Sequence, residues 1–337
     1  SCSVQSSISH TQIMSKVFVT RRIPEEALKA LREAPEVAEV RVNPENRVLT
    51  RQELEEGVKW CDCLLSQLTD KIEGSLLDLN PGLKIVANYA VGFNNVTVAD
   101  ATARKVPVSN TPGVLTDTTA DLTFALLMAC ARRIVEADNY MRQGKYESWD
   151  PLLLLGTDVH HKTIGIVGFG RIGYAVAQRA KGFDMKIIYV DTEEKAYGKD
   201  LGATRVDMET LLKESDFVTL HPFLDASSHH MIDEPQLRMM KKTAVILNAA
   251  RGPVIHEKAL VQALKEGWIG GAGLDVYENE PAMEPGLAEC HNAVIVPHIG
   301  SASIETRTAM GMLAVNNILA RLRGTPLPSC VNPEVFQ

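Results

Sequence analysis

Aromatic residues are scarce in this chain: Phe, Trp and Tyr together make up 5% of it, which leaves little for a surface that binds single-stranded nucleic acid by stacking bases. Cations are not in excess either. Lys and Arg number 35 against 42 Asp and Glu, a formal net charge of −7, so nothing in the composition draws the chain to nucleic-acid phosphates or to an anionic membrane. No run of ~18–20 uninterrupted apolar residues occurs, so no membrane-spanning helix is expected. The six cysteines, Cys2, Cys61, Cys63, Cys130, Cys290 and Cys330, are too few and too scattered for a disulfide scaffold and read as free thiols in a reducing compartment. Cys61 and Cys63 form a C-x-C with no second ligand pair at zinc-site spacing. The two are expected to alternate along a strand over 60–65, and no metal site is expected.

What is present is an ordinary folding composition, 45% hydrophobic and 23% charged over 337 residues, long enough for two domains at ~150 residues each. Residues 1–13 are Ser-rich and free of acidic residues. They read as a leader, a tag or a disordered start and are set apart from the fold. The expected location is cytoplasmic, or an organelle matrix if this segment is the remnant of a transit peptide. From Lys16 onward strand and helix patterns alternate. KVFVT (16–20) is followed by Pro24 and the helical stretch EEALKALREA, with Pro and Glu where a helix begins. CDCLLS (61–66), LKIVANYA (83–90) and VPVSNTPG (106–113) read as further strands. The segment 117–143 reads as one long, centrally apolar helix, too large a buried face for anything but a domain bridge or a subunit interface. A second series follows with six strands, TIGIVG (163–168), MKIIYV (185–190), FVTLHP (217–222), AVILNAA (244–250), GGAGLDV (270–276) and AVIVPH (293–298), and a last helix over 301–323. Near-continuous apolar strands separated by helices mean parallel sheets covered on both faces.

Gly168-Phe169-Gly170-Arg171-Ile172-Gly173 is a G-x-G-x-x-G placed between a strand and a helix, the context a dinucleotide-binding turn requires. Gly168 would make the tight turn, Gly170 would let the backbone approach a pyrophosphate, and Gly173 would let the helix lie close to the strand. The helix N-terminus would face the phosphates. Asp191 follows the next strand, 18 residues beyond Gly173. A carboxylate there accepts the ribose 2′-hydroxyl and repels a 2′-phosphate by on the order of a few kcal/mol, so NAD is the expected cofactor. Three polar residues end later strands: Arg251 after AVILNAA, Glu280 in DVYENEP and His298 after AVIVP. An Arg fork suits a substrate carboxylate, a His suits proton transfer to a carbonyl oxygen, and a Glu beside that His fixes its tautomer. The pairs His160-His161 and His229-His230 are read as non-metal, the first because neighbours on a strand face opposite ways.

NYAVGFNN (88–95), NTPGVLTDTTAD (110–121), GIVGFGRIG (165–173), LNAARGPVI (247–255), GAGLDVYENEP (271–281) and VPHIGSAS (296–303) together resemble the D-isomer-specific 2-hydroxyacid dehydrogenases over nearly the whole chain. Within that family the chain is most similar to the NADH-dependent hydroxypyruvate and glyoxylate reductases of the plant and algal type. The resemblance implies two parallel-sheet α/β domains, Rossmann-like or flavodoxin-like, with the NAD-binding domain (111–299) inserted into the substrate domain (14–110 and 300–337). It implies a catalytic trio of Arg251, Glu280 and His298, with the last proton donor to a small 2-keto acid. The backbone N–H groups of Ala90, Val91 and Gly92 would take the substrate carboxylate together with Arg251, and His298 would also contact the substrate. Pro222, Ala249, Ala250, Asp275 and Gly300 would join Gly168–Gly173 and Asp191 around the cofactor. A homodimer is implied, with 117–143 packed between subunits. His161 departs from the family pattern, since a Gly usually precedes Lys162-Thr163. D-lactate dehydrogenase, phosphoglycerate dehydrogenase and a NAD-sensing corepressor-like protein remain as other readings of the same motifs.

Overall fold

The computed structural model describes residues 13–337, so residues 1–12 of the segment set apart above lie outside the described residues. The chain separates into two compact units, one running through Val114 and resuming over Ser303–Gln337, the other Leu115–Ala302. Each is an α/β unit on a sheet whose paired strands all run parallel. Among the described residues no helix is long and apolar enough to cross a membrane.

The first unit carries β1 (Ser15–Val19), β2 (Val37–Val42), β3 (Cys63–Gln67), β4 (Ile85–Tyr89) and β5 (Val108–Ser109), ordered β2-β1-β3-β4-β5. β4 is buried along its whole length, as a central strand covered on both faces must be. β2 sits at the edge and reads VAEVRV, with Glu39 and the side chain of Arg41 in solvent. Those interleaved charges hid it in the sequence, and they also protect an edge from pairing with other chains. The helix Ile304–Arg323 packs on β4 and on the helix Glu25–Glu33. It starts at Ser303, whose Oγ accepts the Thr306 N–H at 3.1 Å. At Gly311 a Cβ would come within 2.7 Å of the Ala27 Cβ, so the two helices approach as closely as they do only because that residue has none. The chain end is pinned by buried Asn332, which accepts from the Val108 N–H at 2.7 Å and donates to the Val106 carbonyl at 3.0 Å.

The second unit carries β6 (Thr163–Val167), β7 (Lys186–Val190), β8 (Thr204–Arg205), β9 (Phe217–Leu220), β10 (Val245–Asn248), β11 (Gly271–Leu274) and β12 (Ala293–Ile295), ordered β12-β11-β10-β9-β6-β7-β8. The six expected strands are joined by β8, whose two residues are too few to show a pattern. The pleat divides the core between the faces. Val245 and Leu247 join Phe124, Leu127, Ile166 and Val176 on one side; Ile246 joins Leu211, Leu237 and Leu260 on the other.

Three expectations are corrected. The segment 117–143 is two helices, Thr116–Ala131 and Ile134–Arg142, broken where Arg133 adopts φ 53. The Ala131 carbonyl, which a continuous helix would bond to residue 135, instead accepts the Thr157 N–H at 2.9 Å. Gly156 lies against that oxygen so closely that a Cβ would be 2.1 Å away. A segment that returns from further along the chain thus takes the bond that would have extended the helix. Cys61 follows the helix Arg51–Trp60 and only Cys63 lies in β3, so the two do not alternate along a strand. Both are buried, and burial pushes each thiol up to about 12, which leaves them unreactive. His160 and His161 lie in a turn before β6, not on a strand, and His161 has φ 63.

That left-handed conformation is where glycine is at ease and a side chain is strained, which accounts for the glycine usual at this position. His161→Gly keeps the backbone bond from residue 161 to the Phe183 carbonyl at 3.1 Å. It is expected to stabilise the unit by about 0.5–1 kcal/mol after the entropy glycine adds to the unfolded chain. Differential scanning calorimetry should show Tm raised by roughly 1–4 °C; an unchanged or lower Tm refutes the strain.

Candidate active site

β6 ends at Val167 and the chain turns through Gly168 into the helix Arg171–Lys181. Gly168 has φ 85, and a Cβ on it would meet the His221 carbonyl at 2.5 Å and the Pro222 nitrogen at 2.8 Å. A Cβ on Gly173 would lie 2.3 Å from the Gly168 carbonyl and 3.1 Å from Ile166 Cγ2, so the helix rests on the strand and its turn. Gly170 is different: its missing Cβ faces no protein atom within 4 Å. The fold does not require glycine there, and the open space is where a pyrophosphate would approach the backbone at the helix N-terminus. Arg171 is exposed beside it and Ile172 half-buried. Phe169 points inward, fully buried, stacked on Tyr189 at 4.2 Å and Tyr197 at 5.7 Å. The Tyr197 hydroxyl donates to the Phe169 carbonyl. This aromatic clamp on the turn has no sequence signature, because Tyr197 lies in an irregular 3₁₀ segment.

Asp191 follows β7. Its Oδ2 accepts the Phe169 N–H at 2.8 Å and its Oδ1 the Thr192 N–H at 2.6 Å. Burial acts to raise its pKa, but these bonds outweigh it and hold the carboxyl below the usual carboxylate range. The anion expected to take a ribose hydroxyl is therefore present and fixed to the glycine turn. Arg205, on β8, donates to the Asp191 carbonyl at 3.1 Å and to the Thr192 carbonyl at 3.1 Å. The sequence reading missed this cation because β8 was missed.

Arg251, Asp275, Glu280 and His298 come from the loops after β10, β11 and β12. Arg251 donates from Nη1 to the Ala250 carbonyl at 2.8 Å, and burial pulls its pKa down, opposed by Glu280. Its loop is held by Asn248, which donates to the Arg251 carbonyl at 3.0 Å and accepts the Ala250 N–H at 3.1 Å. Ala249 and Ala250 are half-buried beside it. Glu280 Oε2 lies 3.0 Å from His298 Nδ1, and Oε1 accepts the Tyr277 N–H at 3.1 Å. Burial acts to raise the Glu280 pKa, yet the bond to His298 outweighs it, so the carboxyl sits below its ordinary value. The stabilisation this ionised carboxylate gives is present above the ordinary carboxylate pKa and is lost as pH falls through the lowered one. With Nδ1 occupied, His298 Nε2 has no protein partner among the described residues, and about a third of the side chain (34%) is exposed. Asp275 accepts the N–H groups of Ile299 at 2.6 Å and Gly300 at 2.8 Å, which locks the residues after His298. Gly300 therefore supports this loop with an N–H already committed. In the other unit, Ala90, Val91 and Gly92 follow β4; the Ala90 N–H is committed to the Asn88 carbonyl at 2.9 Å, so it is not available as a donor.

A second cluster went unread. His230, Asp233 and His256 place one donor atom each within 4.8 Å of the others. The rings of His230 and His256 are stacked at 4.6 Å and 20°, so their in-plane lone pairs run side by side rather than toward one ion. Each ring instead meets a carboxylate, His230 with Glu278 at 2.7 Å and His256 with Asp233 at 3.0 Å. The cluster is a hydrogen-bonded clasp that ties the segment after β9 to the loops of Arg251 and Glu280.

The glycine geometry separates fold from ligand. Gly170→Ala should leave Tm unchanged and weaken NADH binding ~10-fold, or about 1.4 kcal/mol, by fluorescence titration. Gly168→Ala should lower stability by more than ~2 kcal/mol, from the positive φ and the clash with residue 221. Equal effects of the two on Tm would contradict this division.

Residues 124–300 match the model of the D-isomer specific 2-hydroxyacid dehydrogenase, NAD binding domain. A glyoxylate reductase from Korarchaeum cryptofilum is 50% identical over 96% of this chain and 97% of its own length. Among solved structures, a protein from Thermus thermophilus is 44% identical with a TM-score of 0.89, over 94% of this chain and 99% of its own. An NADPH-dependent glyoxylate/hydroxypyruvate reductase from Sinorhizobium meliloti, in complex with NADP and malonate, is 31% identical with a TM-score of 0.81, over 94% and 96%. With the glycine turn, the anchored aspartate and the His–Glu pair, these matches establish that the chain belongs to the D-isomer specific 2-hydroxyacid dehydrogenases, nicotinamide-dependent oxidoreductases of small 2-hydroxy and 2-keto acids.

Proposed function

We propose that this protein reduces short 2-keto acids with NADH, glyoxylate to glycolate and hydroxypyruvate to D-glycerate, and that Arg251, Glu280 and His298 carry the reaction. The observation that carries this reading is the His298 imidazole, held at Nδ1 by Glu280 at 3.0 Å with Nε2 open. A histidine so held keeps one tautomer and presents the other nitrogen to substrate. Gly168–Gly173 and Asp191 would hold NADH, which would supply the hydride for the carbonyl carbon. His298 Nε2 gives its proton to the carbonyl oxygen, so the C=O becomes CH–OH. In the reverse direction the same nitrogen takes the proton back. Arg251 pairs with the substrate carboxylate, and its partial burial strengthens that pairing by excluding water. The small residues of the loop Ala90–Gly92 support a short acid, and the guanidinium fork of Arg251 suits a carboxylate. The Korarchaeum relative is a glyoxylate reductase, which supports this substrate.

Asp191 favours NADH. Its carboxylate is held in place by two N–H donors, and a 2′-phosphate brought beside it would meet a fixed like charge. Arg205 braces the same loop, its Nε and Nη2 donating to the carbonyls of Asp191 and Thr192. The protein works as a homodimer in the cytoplasm, without nucleic acid or membrane as partner. The helix Ile134–Arg142 and the segment after it leave Val135, Met141, Trp149, Leu152 and Leu155 exposed, Trp149 at 79% and Leu152 at 75%. An isolated chain would not leave such a row of large apolar residues in water, whereas a second copy would cover it.

Steady-state kinetics with glyoxylate, hydroxypyruvate and pyruvate, each with NADH and NADPH, test the reading. The highest kcat/KM is expected for the first two acids with NADH; a higher value with NADPH overturns the cofactor assignment. His298→Ala should cost ~10²–10⁴-fold in kcat while NADH binding survives, and a loss under about tenfold with chemistry limiting removes it as proton donor. Light scattering after size exclusion should give a dimer that Trp149→Ser with Leu152→Ser converts to monomers; a wild-type monomer refutes the interface.

A further inference from the structure

The turn that carries Glu280 is held at its ends rather than in its middle. Residues 279–283 are all exposed, while Tyr277 before them and Leu287 after them are buried. Little packing fixes the stretch in which Glu280 lies, so its placement depends on hydrogen bonds. Within the turn the Ala282 N–H reaches the Asn279 carbonyl at 2.9 Å. That bond sets the local shape but does not tie the turn to the rest of the unit.

The tie comes from a buried side chain. Glu257, 5% exposed, is the first residue of the helix Glu257–Glu266. Its Oε1 accepts the Glu278 N–H at 3.0 Å and its Oε2 the Glu284 N–H at 2.6 Å. One carboxylate thus spans the mouth of the turn, with an oxygen on each arm and Glu280 between them. Glu278 returns the bond: its Oε1 accepts the Glu257 N–H at 3.2 Å, beside His230 Nε2 at 2.7 Å. A buried carboxylate is costly without partners. This one has an N–H on each oxygen, and it sits at a helix N-terminus, where negative charge is favoured. A carboxamide in its place has one oxygen and one NH₂, so an N–H of one arm would face a donor. The Tyr277 N–H fixes one Glu280 oxygen at 3.1 Å; the grip of Glu257 fixes where the backbone under that side chain stands.

We propose that Glu257 is a positioning residue for the reduction: by gripping both arms of the turn it aims Glu280 at His298 Nδ1, and so sets which ring nitrogen is left to face substrate. This rests on the keto-acid reading above and carries it one residue further, from the trio to the side chain that places one of its members. The Glu280 carboxyl sits below its ordinary pKa and is an acceptor only. Its 3.0 Å bond to the ring therefore needs the hydrogen on Nδ1. A neutral ring so held leaves the Nε2 lone pair free, and a charged ring carries its second proton there. When the arms are released, Glu280 loses its line to Nδ1 and the neutral ring places its hydrogen on either nitrogen.

Glu257→Gln keeps the shape and loses one acceptor. Glu257→Asp keeps the charge and is one methylene short of spanning both arms. ¹⁵N spectra of the His298 ring, recorded without substrate where the ring is neutral, should show the hydrogen on Nδ1 in the wild type. Both variants, and Glu280→Gln, should show a mixture of tautomers. In steady state both Glu257 variants should lose roughly tenfold or more in kcat with glyoxylate, while KM for glyoxylate and for NADH stays within about threefold. A merely unstable variant would lose activity with the tautomer of its folded molecules unchanged. Added to Glu280→Gln, Glu257→Gln should cost under about threefold more, because it acts through a residue already removed. Hydrogen exchange on the wild type should find the Glu284 amide protected beside an exposed turn. Free exchange there, or a wild-type ring with its hydrogen on Nε2, overturns the proposal even if neither variant folds. So does an unchanged tautomer in the folded variants, or a full further loss in the double variant. Tautomers that change as expected in a protein that reduces no keto acid refute the functional reading and leave the grip of Glu257 standing.

Discussion

In a sheet whose strands all run the same way, every carboxyl end lies along one edge. In the coenzyme-binding unit this puts the loops after β6, β7, β9, β10, β11 and β12 on one rim, although the residues they carry span Gly168 to Gly300. The rim is held by bonds from one loop to the next. Asp191 holds the Phe169 N–H across from β7 to β6. Asp275 holds the Ile299 and Gly300 N–H groups across from β11 to β12. Gly252 lets the Arg251 loop lie against Tyr277, where a Cβ would be 1.9 Å from the carbonyl. The Glu278–His230 and Asp233–His256 pairs close the set from the side of β9. Position on the rim follows from strand direction, and precision follows from these crossing bonds.

The chain carries a net charge of −7, yet its ligands, a dinucleotide and a keto acid, are anions. The structure meets this with few cations. The helix after Gly170 offers backbone N–H groups at its N-terminus, which attract an anion without adding a charge that must be balanced when no ligand is bound. Arg251 is a cation on the rim, a half-buried guanidinium whose pKa is drawn down by burial and whose nearby compensation is Glu280. Glu280 serves a second purpose by holding the His298 imidazole, so one carboxylate lies beside both the guanidinium and the imidazole. Carboxylates elsewhere on the rim accept N–H bonds and act as braces. The acidic balance of the chain is thus compatible with anionic ligands because its charges on the rim are already spoken for by the fold.

The strands with continuous apolar runs were legible because burial on both faces leaves little room for other residues. β2 and β8 were not, since an edge strand keeps its charges and a two-residue strand has no period. The helix break at Arg133 left no mark in the local sequence, because its cause is a bond from Thr157. His161 left one, as a histidine where glycine is usual, and its φ of 63 gives the reason. The positions of Arg251, Glu280 and His298 in the loops after β10, β11 and β12 were readable from the apolar strands that precede them. The Tyr197 clamp and the His230–His256 stack were not, because each is made of residues common in loops and significant only in company.

The sequence by itself determined the α/β class, the glycine turn, the acid that follows β7 and the identity of the polar residues that end the later strands. These are local properties: each depends on a pattern of a few residues and on the burial that pattern demands. Tertiary structure alone decided which hydrogen bonds those residues make. It showed that Gly168 and Gly173 serve the fold while Gly170 faces open space. It showed that Ala90 has no N–H to give. Those distinctions depend on which atoms from distant parts of the chain arrive at the same point, and short-range pattern carries no record of that.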